Sequence, residues 1–433
     1  MGIMKKKCYL FTAAVLSAAL LLGACSGTTS TNGKEEKKIR IAWWGSQNRH
    51  NITQQVIDLY AQKNPGITFE PEIIGADVQH YEKMATQAAA NNLPDIFQIV
   101  PGSAVASSFV KKGQLMQLDD FVSKGILDTK EIPQSVVDFG KFDGGLYSVP
   151  LGIGTTCIIV NKDIFDAAGI AVPDESWEWD DFFALCKEIH DKTGKYAIYG
   201  YSATWLMEID YAGAIGKSFY NDEGTQLGFA KEDFEKLLTK QVEMIDAKII
   251  PSMEVIAQVK GLEDDPFVKG EAAMKIIASN QYADVTNLSK ANTEMVMFPG
   301  ASNQYKPQMY SASTQFAIAK TSKVGEEAAK FISFFVNDSE ANKILNAERG
   351  IPVNDKIREE LTKIQTPENK ATFDFVDMVI QKGTANYFVN PTFASQVSKA
   401  GQDAEEKAVY KKMSPAEAAE DFMKNAADII AQN

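Results

Sequence analysis

The sequence predicts an α/β protein of two lobes, with a chain that crosses from one lobe to the other and back. Three observations predict this. At 433 residues the chain is too long for one ordinary hydrophobic core. From Ile39 to Val100 it alternates short β-rich runs with helical ones, the pattern of a parallel sheet covered by helices. The stretch Phe142 to Phe165, FDGGLYSVPLGIGTTCIIVNKDIF, combines a Gly-Gly turn, a strand edge ending on Pro150 and a glycine-spaced bridge at Gly152 and Gly154. A dense apolar strand, Cys157 to Val160, follows the bridge. Gly and Pro punctuate a chain where its direction must change, so this stretch reads as the crossing point.

In the first lobe, Ile39 to Trp44 is a strand that ends at Gly45. Thr53 to Lys63 is helical, with Val56 and Tyr60 on one face, and Asn64-Pro65-Gly66 breaks it. Ile67 to Ile74 alternates as a strand, and Pro71 marks it as an edge. Gln79 to Asn91 is an Ala-rich helix, and Ile96 to Val100 is the next strand. Ligands sit beyond the carboxyl ends of such strands, which here carry Trp44, Gln47 and Gln98. After the crossing, Trp179, Phe182, Phe183, Cys186 and Ile189 form one helical stripe, so Trp179 reads as core. Ile198 to Tyr201 is a strand leading to a Ser-Ala-Thr loop with Trp205. Phe234 to Ile245 is helical, and Gly270 turns into a buried strand that ends at Ser279-Asn280-Gln281-Tyr282. Gln315 to Ala319 is a strand, Gly325 to Val336 a helix, and Gly350-Ile351-Pro352 a second Gly/Pro crossing. Ser414-Pro415-Ala416-Glu417 is a capping box that opens a helix to about Ile430.

Composition narrows the function. Hydrophobic content of 45% and charged content of 23% are those of a soluble globular protein. A net charge of −13 argues against nucleic acid, whose phosphates need a basic surface. Lys5 to Lys7, an apolar run from Tyr9 to Leu22 and the small pair Gly23-Ala24 form an export signal over residues 1–24. Leu22-Gly23-Ala24-Cys25 resembles the lipobox of bacterial lipoproteins, which implies lipid on Cys25. Residues 25–38 then read as a polar tether. The remaining cysteines, Cys157 and Cys186, are too few for a disulfide framework and read as small buried hydrophobes. The three histidines show no ligand spacing, and neither a nucleophile elbow nor a phosphate loop is present. No cofactor, no metal and no enzymatic activity are therefore expected.

Ordered marks run along the rest of the chain. They are Ile41-Ala-Trp-Trp-Gly45, Leu93-Pro-Asp95, Leu146-Tyr-Ser-Val-Pro150, Asn161-Lys-Asp-Ile-Phe165, Trp179-Asp-Asp-Phe182, Phe267-Val-Lys-Gly270, Ala328-Ala-Lys-Phe331 and Gly350-Ile-Pro-Val353. In this order they make the chain, from Ile39 onward, similar to the extracellular solute-binding proteins of carbohydrate importers, the group that includes maltose-binding protein. Trp43 to Gln47, Arg49-His50 and Glu348-Arg349-Gly350 look closest to binding proteins for pectin-derived rhamnogalacturonan oligosaccharides. The resemblance departs from maltose-binding protein at Leu151 to Thr155, which carries no carboxylate.

The resemblance implies a two-lobed periplasmic-binding-protein-like fold with discontinuous lobes and a crossing hinge. Residues 39–150 and 310–349 would form the N-terminal lobe, and 151–309 and 350–433 the C-terminal lobe. It also implies a monomer that captures an oligosaccharide between the lobes and delivers it to ABC permease subunits. The protein would sit on the extracellular face of the membrane, of Gram-positive type, held by its lipid alone. Sugar rings stack on aromatic faces, and their hydroxyls need planar groups that donate and accept. The candidates are Trp44, Gln47, Arg49, Tyr81, Gln98, Trp205, Asn280, Tyr282 and Phe393, with Trp205 and Tyr282 placed where the family often stacks sugar. Arg49 suits a uronate carboxylate. The alternatives are a lipoprotein glycoside hydrolase, which needs only two positioned carboxylates, or a surface carbohydrate-binding adhesin.

Overall fold

Two β-sheets carry the architecture of the computed structural model, which describes residues 36–100, 102–221, 223–387 and 390–432. The export signal and Cys25 lie outside the described residues. The first sheet has the order Ile67–Ile74, Lys37–Trp44, Ile96–Ile99, Gln315–Ile318, Ser148–Pro150. Its first three strands are parallel, and Gln315–Ile318 runs antiparallel to both of its neighbours. The strand that contains Pro71 is the sheet edge, where a missing N–H breaks no ladder. The first strand begins at Lys37, so Lys37 and Lys38 belong to the sheet and not to the tether.

The helix expected from Thr53 starts earlier, at Gln47, because Ser46 caps it by accepting from the Arg49 N–H. Gln47 is therefore the first residue of a helix and not part of a strand-end loop. The second helix spans Asp77–Ala89. The Ile96–Ile99 strand buries all four of its residues, so Gln98 lies inside the strand and not at its mouth.

The second sheet has the order Thr384–Ala385, Met309–Ala312, Ile153–Asn161, Ala272–Ala278, Tyr196–Tyr199, with Thr293–Val296 also paired to Ile153–Asn161. Met309–Ala312 pairs with Ile153–Asn161, which puts residues 310–312 with the second sheet and not the first. Helix Trp179–Thr193 buries Trp179, Phe182, Cys186 and Ile189, the expected stripe, whereas Phe183 is only half-buried. The helix Pro415–Ala431 carries the full capping box at Ser414 and Glu417. It packs on Ala394–Val409 and Lys231–Asp246, with Phe422 buried against Phe234 and Phe229. Each such buried side chain contributes about 1.5–3 kcal/mol. Cys157 and Cys186 are buried and free, and burial pushes both thiols up.

Among the described residues, three segments of chain link the sheets, and they lie side by side. The first passes through Leu151 and Gly152, the second through Ser313 and Thr314, and the third through Arg349 and Gly350. Leu151 N donates to Thr314 O at 2.9 Å, and Ser313 N to Gly152 O at 2.9 Å. Ile153 and Ile351 exchange both backbone hydrogen bonds at 2.9 Å. The Ser313 hydroxyl donates to the Arg349 carbonyl. Gly152 is required here, because a Cβ would stand 1.9 Å from the Arg349 carbonyl oxygen. Gly350 sits at φ +92°, in the left-handed half of the map.

Candidate functional site

The chain between Ser202 and Tyr220 builds one wall of a cavity of about 710 Å³, inside the range of roughly 300–1,000 Å³ usual for ligand sites. Glu405 anchors the start of this wall. Its carboxylate accepts from the Ser202 hydroxyl at 2.9 Å, the Thr204 N–H at 3.0 Å and the Gln241 amide at 2.8 Å. The short helix Ala203–Leu206 leads into a π-helical turn, Met207–Tyr211. Such turns are rare and cluster at functional sites. This one sets Glu208 and Asp210 on the cavity.

Asp210 is 2% exposed, and neither carboxylate oxygen has a hydrogen-bond partner. Burial pushes its pKa well above the usual carboxylate range, and the Trp179 indole offsets this only in part, with no hydrogen bond of normal geometry between them. Burial raises Glu208 as well, the Ser398 hydroxyl opposes that, and the charge of Glu405 adds to it.

The opposite wall comes from the second sheet and the linking segments. Gln308 fixes it, donating to Thr155 Oγ1 and to the Thr156 carbonyl at 2.8 Å each and accepting from the Phe298 N–H at 2.9 Å. Phe219 gives half-buried aromatic surface, Tyr220, Phe298 and Tyr310 back the wall as buried rings, and Asn280, Asn386 and Asn390 give exposed amides. Ser313 and Gly350 also line the cavity, so it touches two of the three linking segments. Among the described residues, no group of His, Cys, Asp and Glu could hold a metal ion.

Of the nine residues predicted from sequence, Asn280 lines this cavity. Tyr282 is 4% exposed in the core, and its hydroxyl donates to the Thr293 carbonyl at 2.9 Å, so no ring face is open to a sugar. Phe393 is buried against Tyr220, while its neighbours Ala394 and Ser395 reach the cavity. Trp205 lies on a helix and not in a loop, is half-buried against the core of that lobe, and does not line the cavity. Trp44 and Tyr81 lie at the carboxyl end of the first sheet, with ring centroids 5.6 Å apart, and the Tyr81 hydroxyl accepts from the Val100 N–H at 2.8 Å. Gln98 is fully buried, with its amide unpaired. Gln47 is exposed and donates to Asn51 at 2.8 Å. Arg49 Nε holds both oxygens of Glu348 at 2.9 Å, so its fork already has a carboxylate.

Sequence reading missed Glu208, Asp210 and Phe219. Two acids in the apolar run Ala203 to Ala214 were the available signal, because that run otherwise reads as a buried helix.

Comparison with known proteins gives one family. A family model described as bacterial extracellular solute-binding protein matches residues 45–342. The diacetylchitobiose binding protein DasA of Streptomyces coelicolor is 23% identical over 296 residues, 65% of this chain and 65% of that protein. The match thus spans just under two thirds of that relative's length. The arabinooligosaccharide-binding protein of Bacillus subtilis is 23% identical over 355 residues, 79% of each chain. The structure of a periplasmic oligogalacturonide binding protein from Yersinia enterocolitica, in complex with saturated digalacturonic acid, superposes with a TM-score of 0.75 at 20% identity. That superposition covers 92% of this chain and 99% of that one, and it shows a shared fold.

Proposed function

The chain belongs to the bacterial extracellular solute-binding proteins, and from that premise we propose that it is the sugar-capturing component of an ABC importer. The observation that carries this reading is the cavity against the linking segments, lined by the half-buried Phe219 and by exposed amides. Aromatic faces suit the apolar faces of sugar rings, and the amides suit hydroxyls. The relatives named for sugar binding support the ligand class. Ligand that touches both lobes favours closure by its differential affinity for the closed state.

In this reading one lobe holds residues 37–150, 314–349 and the helix Asp355–Thr362, which bonds to Glu131 and Lys343, and the other holds 153–312 and the chain after that helix. The relatives are named as binding proteins and not as catalysts, which supports a non-enzymatic role. Cys25 carries the lipid in this reading, and the protein faces outward on a membrane, as a monomer, beside its permease. Among the described residues no helix is long and apolar enough to cross a membrane.

The test is a thermal-shift screen against starch, chitin, arabinan, xylan and pectin oligosaccharides, followed by calorimetry of each hit. Ligand that binds only the folded state raises the melting temperature by mass action. One-to-one binding of an intact oligosaccharide is expected. Release of reducing sugar would instead favour a hydrolase.

A further inference from the structure

We propose that a small pocket at the seam of the two lobes takes the end unit of a longer oligosaccharide and so makes lobe closure depend on chain length, an inference that rests on the oligosaccharide reading above. Among the described residues, those that line the large cavity belong to the second lobe, apart from Ser313 and Gly350 of the linking segments. A sugar that fills this cavity alone therefore meets no lining residue of the first lobe. A ligand whose contacts are the same in the open and closed arrangements favours neither. The small pocket, of about 170 Å³, is built differently. Gly102, Asp138, Phe139 and Lys141 of the first lobe line it together with Asn386 and Tyr387 of the second. Its size lies below the range usual for a ligand site of its own.

The two spaces adjoin. Asn386 lines both. Phe139 of the small pocket stands edge-on to Tyr310 of the large one, with ring centroids 6.0 Å apart. The Gly102 carbonyl accepts from the Asn390 N–H at 2.8 Å, which ties the two linings together at another place. Tyr387 supplies the platform. Its ring packs on Phe139 at 4.9 Å, and its hydroxyl donates to the Ser135 carbonyl at 2.7 Å. With 47% of its surface exposed, it is a fixed ring with open area, the kind of face on which a sugar ring stacks. Lys141 and Asp138 pair at 2.7 Å, and each keeps more than a third of its side chain exposed, so the pair still offers donors and acceptors to hydroxyls. Both lobes build this pocket, so opening them takes it apart. A sugar unit bound there gains contacts only in the closed arrangement, and so favours it.

The probes are the oligomers of one glycan series, from the monosaccharide upward, chosen from starch, chitin, arabinan, xylan and pectin by the thermal-shift screen. Each is titrated by calorimetry into the full mature protein, with solution scattering of the same samples. Affinity should rise by roughly tenfold at one step of chain length, the worth of about one stacked ring. The radius of gyration should fall at that same step and not before it. Tyr387→Ala should remove the step and bring the longer members to the affinity of the shorter ones. The shorter members should stay within about twofold of wild type. Tyr387→Phe, which keeps the ring and loses the hydrogen bond to Ser135, should keep the step. Circular dichroism and melting confirm that both variants are folded, and the wild-type series decides by itself if either is not. A wild-type affinity that does not step with length would overturn the inference, as would a step with no fall in radius. So would a step that survives in folded Tyr387→Ala, or one lost in folded Tyr387→Phe, since stacking would then not be its cause. Each of these results leaves the oligosaccharide reading standing. If no member of any series binds, that reading fails and takes this inference with it.

Discussion

Replacing Glu348 with Gln should destabilise the protein far more than an ordinary surface charge change. One carboxylate serves two guanidinium groups. Arg49 Nε donates to both of its oxygens at 2.9 Å, and Arg349 Nη1 stands 3.6 Å from Oε2. Arg349 is 4% exposed and rests over the Phe335 ring at 5.6 Å. Its Nη2 donates to the Thr53 hydroxyl at 2.9 Å, while Nε and Nη1 make no hydrogen bond. Burial pulls its pKa down to about 9, the Arg49 charge adds to that, and Glu348 opposes both.

Glu348→Gln keeps the shape and removes the balancing charge. Breaking a buried pair from one side costs about 3–5 kcal/mol. With about 2.1 cal/mol/K per residue over about 400 residues, the unfolding entropy is roughly 0.8 kcal/mol/K, so the melting temperature should fall by about 4–6 °C. Differential scanning calorimetry of the ligand-free protein reads this directly. Adding Arg349→Met to Glu348→Gln should recover part of the loss, because the uncompensated charge is gone. A melting temperature within about 1 °C of wild type would refute the reasoning, since a balancing charge worth about 3–5 kcal/mol cannot be silent.

Gly152→Ala forces a Cβ to 1.9 Å from the Arg349 carbonyl, and urea unfolding should show a loss of about 3 kcal/mol or more. Asp210→Asn should raise the melting temperature of the ligand-free protein at neutral pH. The folded-state pKa of Asp210 is raised, so the wild type carries its full burial penalty above that pKa and loses it on acidification toward the ordinary carboxylate range. The gain should therefore shrink in acid, and a pH-independent gain would point to packing instead. Trp205→Ala should lower stability by about 2 kcal/mol, because the half-buried ring packs on the core, while affinity in the folded fraction stays within about twofold. A tenfold drop in affinity would return Trp205 to the ligand. Cys25→Ser should abolish labelling by a fatty-acid probe in cells, and equal labelling would remove the anchor.

The sheets were legible because their signals are local. Ile67 to Ile74 declares itself by alternation, and Pro71 declares its place at an edge. The crossing at Gly152 was legible because only a residue without Cβ fits beneath the Arg349 carbonyl, and the glycine spacing exposes that need. The site was far less legible. Tyr282 and Phe393 follow a strand and a turn as ligand residues would, yet sequence does not reveal which side of an element faces the core. Tyr282 turns inward because Thr293, eleven residues on, offers its carbonyl to the hydroxyl. Arg49 looked available because its partner lies 299 residues away in the chain. Glu208 and Asp210 escaped notice because a π-helical turn has no period that a window of residues displays.

The strand order of the first sheet also bears on how the protein is made. Gln315–Ile318 lies between Ile96–Ile99 and Ser148–Pro150, so those two strands have no bridge until the ribosome has passed residue 318. At about 5–20 residues per second, the wait after Pro150 is roughly 10–30 s. Through that interval the strand Ile96–Ile99 presents an open, apolar edge, the surface on which chains stick to one another.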